Sequence, residues 1–409
     1  MNRLLTPEPP PIDNMSLKDY KLSYILLCII GLAAMFSTSL VNPLLSIFAK
    51  QLGAAGVMIG LSVAGYWIAR VLLEIPSGFI SAKYGYYWPM LLGLVLTTLG
   101  TFWNAFVTDP FQLILARALQ GLGAPLFFAV SMTFIINMFS TEKRGAAMGV
   151  FQGIEFGGSI LGSTFSGYLI TILGFQGGFF LSTILCAIAV VLLALPPYVR
   201  HESARMPKIP TMKLSSLPKV FKNKILLIVS FATLMEFILS NGVIYTIYPL
   251  YANENLGVSL TDIGLIMGAR SIGYVIAMLI MGSIADKIGR KPVLLFGIAS
   301  TAVMTIVLNF ASGIVMTASI LFLIGITTGA IWIVCPVIAA EAVEPENRGA
   351  AIGIYRTFFD LGSIFGPILM TYIMGAYGPT PCFYLASILL ATAFVPCLKL
   401  TETRRLGPL

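Results

Sequence analysis

Apolar runs of about twenty residues recur from one end of this 409-residue chain to the other. That recurrence fixes the solvent, because crossing a hydrocarbon core of about 30 Å takes roughly 20 helical residues at about 1.5 Å each. Only 10% of the residues are charged and the mean hydropathy is +0.92, against about 25% charged in an average soluble domain. Unpaired backbone amides are too costly in lipid and the period-2 alternation of a barrel is missing, which leaves an all-α, polytopic helical bundle. The net charge of +8 would suit nucleic acid if the basic residues formed one patch. They fall mostly in loops between apolar runs, so the expected surroundings are a lipid bilayer and no nucleic-acid partner is expected.

Apolar runs and polar breaks give twelve spans, near residues 23–49, 56–80, 88–107, 110–138, 146–173, 177–197, 224–251, 260–284, 291–310, 314–340, 349–376 and 381–398. The expected organisation is a tail over 1–22, a six-helix bundle over 23–198, a linker over 199–223, a second six-helix bundle over 224–398 and a tail over 399–409. The first span runs well past Cys28, too long for a signal h-region, and is expected to stay as a helix. Lys83, Lys143, Arg144, the stretch Arg200 to Lys224, Lys287, Arg290, Lys291, Arg348, Lys399, Arg404 and Arg405 fall on one side. Lys50 is the only basic residue on the other, beside Asp109, Glu254 and Asp262. By the positive-inside rule both termini are expected in the cytoplasm, with the cell membrane as host. The five cysteines lie in apolar runs without metal or redox spacing and read as core packing.

The chain repeats itself with a single shift of 204 positions. Gly60, Gly78, Gly85, Gly121, Arg144, Gly145, Gly149, Gly158 and Gly162 recur as Gly264, Gly282, Gly289, Gly325, Arg348, Gly349, Gly353, Gly362 and Gly366. Two parallel six-helix repeats joined by a basic linker are how rocker-type secondary transporters are built.

With these residues in view, the chain resembles the major facilitator superfamily over essentially its whole length. Gly282, Asp286, Lys287, Gly289, Arg290 and Lys291 reproduce that family's cytoplasmic signature between spans 8 and 9, Gly-x-x-x-Asp-Arg/Lys-x-Gly-Arg-Lys. The resemblance implies that Asp286 bonds helix ends or the arginine of a neighbouring loop, such as Arg144, and so latches the halves on the cytoplasmic side. The first copy keeps Gly78, Lys83 and Gly85 but has Ala82 for the Asp and Tyr86 and Tyr87 for the basic pair. Arg117, Gln120, Gly121, Gly123 and Ala124 on span 4 resemble the Arg-x-x-Gln-Gly-x-Gly-Ala motif of proton-coupled drug and metabolite antiporters. Gly149, Gly158, Gly162 and Gly167 on span 5 are similar to the antiporter motif, with Ser163 where it has Pro and Ser166 where it has Gly. The bland alternative for this stripe is close helix approach alone.

Eight charged residues fall inside the spans clear of their ends, where each costs about 2.5 to 3.5 kcal/mol on the insertion scale unless it has a partner, a wet cavity or a task. Arg70 and Glu74 on span 2, and Arg356 and Asp360 on span 11, are four apart and so placed to pair along one face. Arg117, Glu155 on span 5, Glu236 on span 7 and Arg270 on span 8 have no partner by local spacing. An α-helical wheel puts Glu236 and Ser240 on one face of span 7 and Asn241, Tyr245 and Tyr248 on another, so both sets are not expected in one cavity. In the family, spans 1, 4, 7 and 10 surround the pathway, which points to Arg117 and Glu236 with Trp332 and Phe128 as walls. The only histidine, His201, lies in a loop, so a membrane proton carrier is expected to be a carboxylate: Glu236 first, then Glu155 and Asp360. Burial disfavours the charged carboxylate and a nearby arginine favours it, so a Glu whose arginine partner moves on rocking would bind and release a proton.

The reading is a monomeric secondary transporter that exports a small lipophilic compound or metabolite against protons, with sodium as the alternative ion. The second reading is a carrier for an organic or inorganic anion, warranted by the four intramembrane arginines. An enzyme is not expected: there is no His-Glu-x-x-His pair and no Walker-type loop, and no cofactor or metal is implied.

Overall fold

The computed structural model describes residues 16–206, 217–344 and 347–402. The expected tails over 1–15 and 403–409, the linker centre 207–216 and Glu346 lie outside the described residues. All regular structure among those described is helical. Span 1 comprises Ser16–Val41, a 3-10 turn Asn42–Leu44 and Leu45–Gln51; it starts before residue 23 because the polar stretch at Ser16 continues the same helix out of the apolar layer. Spans 2 to 4 are Val57–Tyr84, Tyr87–Asn104 and Pro110–Met138. Spans 5 and 6 run together as Thr141–Ala194, turning at Gly174 alone, whose φ of 69° is open to glycine. Span 7 is Lys224–Phe237, a π-helical segment Ile238–Ile247 and Tyr248–Glu254. Spans 8 to 11 are Leu260–Ile288, Arg290–Leu308, Ile314–Glu341 and Arg348–Tyr377, and span 12 is Thr380–Thr392 with Phe394–Leu398. His201 is exposed on the short helix Tyr198–Arg205.

Helix starts follow from local chemistry. Asp109 Oδ1 accepts from the Phe111 and Gln112 amides at 2.9 and 3.0 Å, with Pro110 at the first helical position. Ser259 Oγ accepts from Asp262 N at 3.1 Å and donates to its carboxylate at 2.6 Å. The five cysteines are buried and unpaired.

Span 1 starts and span 12 ends on one face, here the terminal face, opposite a distal face. The halves meet along two seams related by the repeat. In one, Gly60 of span 2 lies on the Pro367 carbonyl and Thr371 of span 11; in the other, Gly264 of span 8 lies on Gly167 and Ser166 of span 5. The absent side chains let helices touch backbone to backbone. Ser271 donates to Ser163 at 3.3 Å and Thr171 bonds Thr261 at 3.2 Å along the second seam. Toward the terminal face, Gly145, Gly149, Gly153 and Gly157 of span 5 and Gly282 of span 8 border open space. The halves are therefore locked distally and part toward the terminal face.

The distal lock carries an ion pair on the pseudo-two-fold axis. Lys50 Nζ meets Glu254 Oε2 at 2.5 Å, and positions 50 and 254 are separated by the repeat shift itself. Reversing one sign, Lys50→Glu, is expected to move the equilibrium toward distal opening by roughly five-fold, the scale of about 1 kcal/mol for an exposed pair. Adding Glu254→Lys should restore it, read as spin-label distances across the distal face; equal distances in all three proteins would show that the pair does no latching.

Candidate functional site

A cavity of about 260 Å³ lies between the halves at mid-membrane, near the lower end of the roughly 300–1,000 Å³ of small-molecule sites. It is lined by Arg70, Arg117, Gln152, Glu155, Glu236, Arg270 and Arg356 among polar groups and by Tyr66, Trp67, Phe128, Phe156, Trp332 and Phe359 among aromatic ones. Trp332 and Phe128 both border it. Trp332 packs on Phe237 and Phe359 with centroids 5.7 and 5.6 Å apart. Gln120 is buried behind Arg117 and does not line it.

The two local pairs expected on spans 2 and 11 merge into one cluster across the halves. Arg70 Nε sits 3.4 Å from Glu74 Oε2 and 3.5 Å from Asp360 Oδ1, and Arg356 Nε sits 2.9 Å from Glu74 Oε1. No ion pair forms between Arg356 and Asp360 among the described residues. Arg356 instead crosses to the facing span, where Glu74 Oε1 meets its Nε. Arg70 also stacks on Trp67 and Phe359, 5.1 and 5.0 Å from the ring centres.

Among the described residues Arg117 has neutral partners only. Its Nη1 donates to Gln120 Oε1 at 2.7 Å and its Nη2 to Asn42 Oδ1 at 2.9 Å, with the guanidinium 5.0 Å from the Tyr66 ring centre. Asn42 escaped the sequence reading because only the 3-10 turn at Asn42–Leu44 swings it inward.

The π-helical segment overturns the expectation that span 7 offers two separate faces. Its bonds run to the fifth residue on, not the fourth, and Thr246 Oγ1 donates to the Asn241 carbonyl at 2.6 Å. Ser240 and Tyr245, five apart, share Arg270: Nη2 donates to Ser240 Oγ at 3.0 Å and Nη1 to Tyr245 Oη at 2.8 Å. Ser240 Oγ in turn donates to Glu236 Oε1 at 2.6 Å. Glu236, Ser240, Asn241 and Tyr245 all line the cavity, while Tyr248 is buried elsewhere. Glu236 is thus linked to Arg270, not to Arg117. Both belong to the second half, so a rigid movement of one half against the other leaves them together; the ion pairs that span the halves are Arg70–Asp360 and Arg356–Glu74 beside the cavity and Lys50–Glu254 at the distal face.

Glu155, 2% exposed, borders the cavity without a hydrogen bond or ion pair among the described residues.

The signature loop is engaged within its own half. Arg290 pairs with Glu341, Glu402 accepts from the Arg290 and Lys291 amides at 3.0 and 3.2 Å, and Lys291 Nζ donates to the Leu398 carbonyl at 2.7 Å. Gly289, at φ 104°, leaves room for the Glu402 carboxylate. Lys287 closes the same turn at the end of span 8, and Gly282 borders open space. Asp286 makes no ion pair with Arg144 among the described residues: Arg144 Nε donates to the Phe139 carbonyl at 2.9 Å. The expected latch is open because the halves have parted on this face. Arg348 opens span 11 as the repeat partner of Arg144. In the first half Tyr86 and Tyr87 keep the basic pair's place, and their amides donate to Ser203 Oγ at 3.0 Å each.

Comparison with known proteins agrees with this architecture. The sequence model of the Major Facilitator Superfamily matches residues 27–241 and again 229–408. An uncharacterised MFS-type transporter of Methanocaldococcus jannaschii is 22% identical, covering 84% of this chain and 89% of the relative. The multi-drug resistance efflux pump PmrA of Streptococcus pneumoniae is 25% identical, covering 87% of this chain and 90% of the relative. The crystal structure of a D-xylose-proton symporter superposes with a TM-score of 0.77 at 17% identity over 94% of this chain and 99% of that one, a likeness of fold.

The cluster makes a testable energetic statement. Removing one partner, as in Arg356→Gln, leaves Glu74 and Asp360 sharing one arginine and is expected to cost about 3 to 5 kcal/mol. The pair Arg356→Gln with Glu74→Gln should cost less than that single change, read as thermal unfolding in detergent. Additive losses would show that the two residues do not act as one pair.

Proposed function

Because the chain belongs to the major facilitator superfamily, we propose that this membrane transporter exports a small lipophilic compound or metabolite in exchange for protons. The observation that carries the reading is the Glu236–Ser240–Arg270 chain on the cavity wall. Glu236 is its proton carrier, with sodium the alternative ion. Ionised, Glu236 accepts from Ser240, whose oxygen accepts from Arg270. Protonation weakens that acceptor and frees Ser240 and Arg270 to turn toward the cavity. Substrate and proton exclude one another in one site, which suffices for antiport without separating Glu236 from Arg270. The cross-half cluster of Arg70, Glu74, Arg356 and Asp360 sets the balance between the open states. The similarity to multidrug efflux pumps supports the export direction. The basic residues gathered on the terminal face support cytoplasmic termini in the cell membrane, and a monomer encloses the whole cavity.

In sealed proteoliposomes carrying a trapped pH dye, substrate added outside is expected to raise internal pH as protons leave. Glu236→Gln should abolish that rise while sparing substrate–substrate exchange. A variant that keeps the pH signal would remove Glu236 from the coupling role.

The second reading, an anion carrier, rests on Arg117, a cavity cation held by neutral groups alone. It predicts internal acidification on adding carboxylates, lost in Arg117→Gln. Export of a cation instead predicts that Arg270→Gln is milder than Glu236→Gln.

A further inference from the structure

We propose that Glu155 is the seat for the charged nitrogen of a lipophilic, protonated amine carried by this protein. The inference rests on the export reading above and names its substrate class.

Glu155 lies 14 residues from the terminal-face start of span 5 at Thr141, and Glu236 lies 12 residues from the start of span 7 at Lys224. At about 1.5 Å per residue both carboxylates stand at nearly one depth, on opposite walls of one cavity. Their surroundings differ. Glu236 accepts from Ser240 and is relayed to Arg270. Among the described residues Glu155 has no hydrogen bond, and its buried Oε1 has no partner. Arg356 acts on it through space only, being committed to Glu74 Oε1 at 2.9 Å, and Arg70 stands between Glu74 and Asp360. The Glu155 side chain is pressed against Gly31 of span 1, where a Cβ would meet its Cγ at 3.0 Å, so it is held in place.

A buried carboxylate without a donor is costly in its charged form and takes up a proton when no ligand is bound, and a ligand that brings an N–H and a positive charge can replace that proton. The rest of the cavity fits such a ligand's apolar body: Met35, Phe128, Met132, Phe156 and Trp332 wall it, and aromatic faces and methionine sulfur suit a cation on an apolar frame. Glu236 holds the proton and Glu155 the substrate's charge in one and the same cavity, so each cation lowers the affinity for the other and the two exclude one another.

The test uses dibenzylamine, protonated at neutral pH, and its uncharged isostere dibenzyl ether, with binding to the full chain in lipid nanodiscs read from the fluorescence of Trp67 and Trp332 in the cavity. Wild type is expected to prefer the amine. Glu155→Gln should weaken the amine by about ten-fold, the size of one charge-assisted hydrogen bond, and change the ether less than about two-fold. Glu155→Asp, which keeps the charge, should retain the amine preference and guards against misfolding of the amide variant. A wild type that does not distinguish the probes, or a Glu155→Gln variant that binds both unchanged, overturns the proposal. So does loss of proton-linked flux in Glu155→Gln with amine binding intact, which would make Glu155 a coupling residue. Because binding is read without flux, loss of charge preference in a protein that shows no proton-linked flux would keep this assignment and remove the coupling scheme instead.

Discussion

A charge inside a bilayer has to be answered by another group, and the arrangement of spans 2, 4, 5, 7, 8 and 11 is organised around how eight such charges are answered. Four of them answer one another across the halves: Arg70, Glu74, Arg356 and Asp360 form one body at mid-depth. Two are answered through a hydroxyl, Glu236 and Arg270 by way of Ser240. Arg117 is answered by amide oxygens and a ring face. Glu155 alone is left to the cavity. The cross-half cluster ties the two six-helix bundles where they must also pivot, and everything facing the cavity depends on that tie.

The repeat makes the asymmetry of this design visible. Under the shift of 204, Arg70, Glu74, Arg356 and Asp360 correspond to Tyr274, Met278, Gln152 and Phe156. One seam is ionic while its twin carries no charge at these positions, with Phe156 and Tyr274 rings 5.7 Å apart and hydroxyl pairs Ser271–Ser163 and Thr171–Thr261. Backbone packing is conserved between the seams, since Gly60 and Gly264 occupy equivalent contacts, whereas side-chain chemistry is not. The same holds at the terminal face. The segment after each half's last span returns to cap the third span of that half, with Ser203 on the Tyr86 and Tyr87 amides and Glu402 on those of Arg290 and Lys291. Positions 86 and 87 map onto 290 and 291, so the tyrosines keep the backbone role of the signature after losing its charges.

Much of this was legible in the sequence because it depends on periodicity and composition. Apolar run length gave the spans and glycine spacing gave the internal repeat, whereas which helices meet along the seams was not read from either. The eight membrane charges could be named, but partners on different spans could not. Helical spacing alone paired Arg356 with Asp360, while the facing span brings Glu74 to Arg356. The local rule fails wherever a longer-range carboxylate is closer. Asn42 and Tyr245 were hidden for another reason: a 3-10 turn and a π-helical segment change which residues share a face, and no composition signal announces either. Lys50 and Glu254 were visible as distal charges, and their shared register under the repeat was the clue that they meet.

The π-helical segment bears on coupling beyond its geometry. In an α-helix, residues 240 and 245 diverge by roughly 140° around the axis at 3.6 residues per turn, and one arginine could not hold both hydroxyls. Widening the turn brings Ser240 and Tyr245 together, so Arg270 is clamped and Ser240 is presented to Glu236 one turn away. Gly242 sits inside this segment against the Gly366 carbonyl of span 11, and Asn241 Nδ2 donates to Ser363 Oγ of the same span at 3.0 Å. Span 11 also carries Asp360 and Arg356 of the cross-half cluster. The segment that shapes the Glu236 site therefore rests on the helix whose charges tie the halves, giving a continuous packed route between Glu236 and the cross-half cluster.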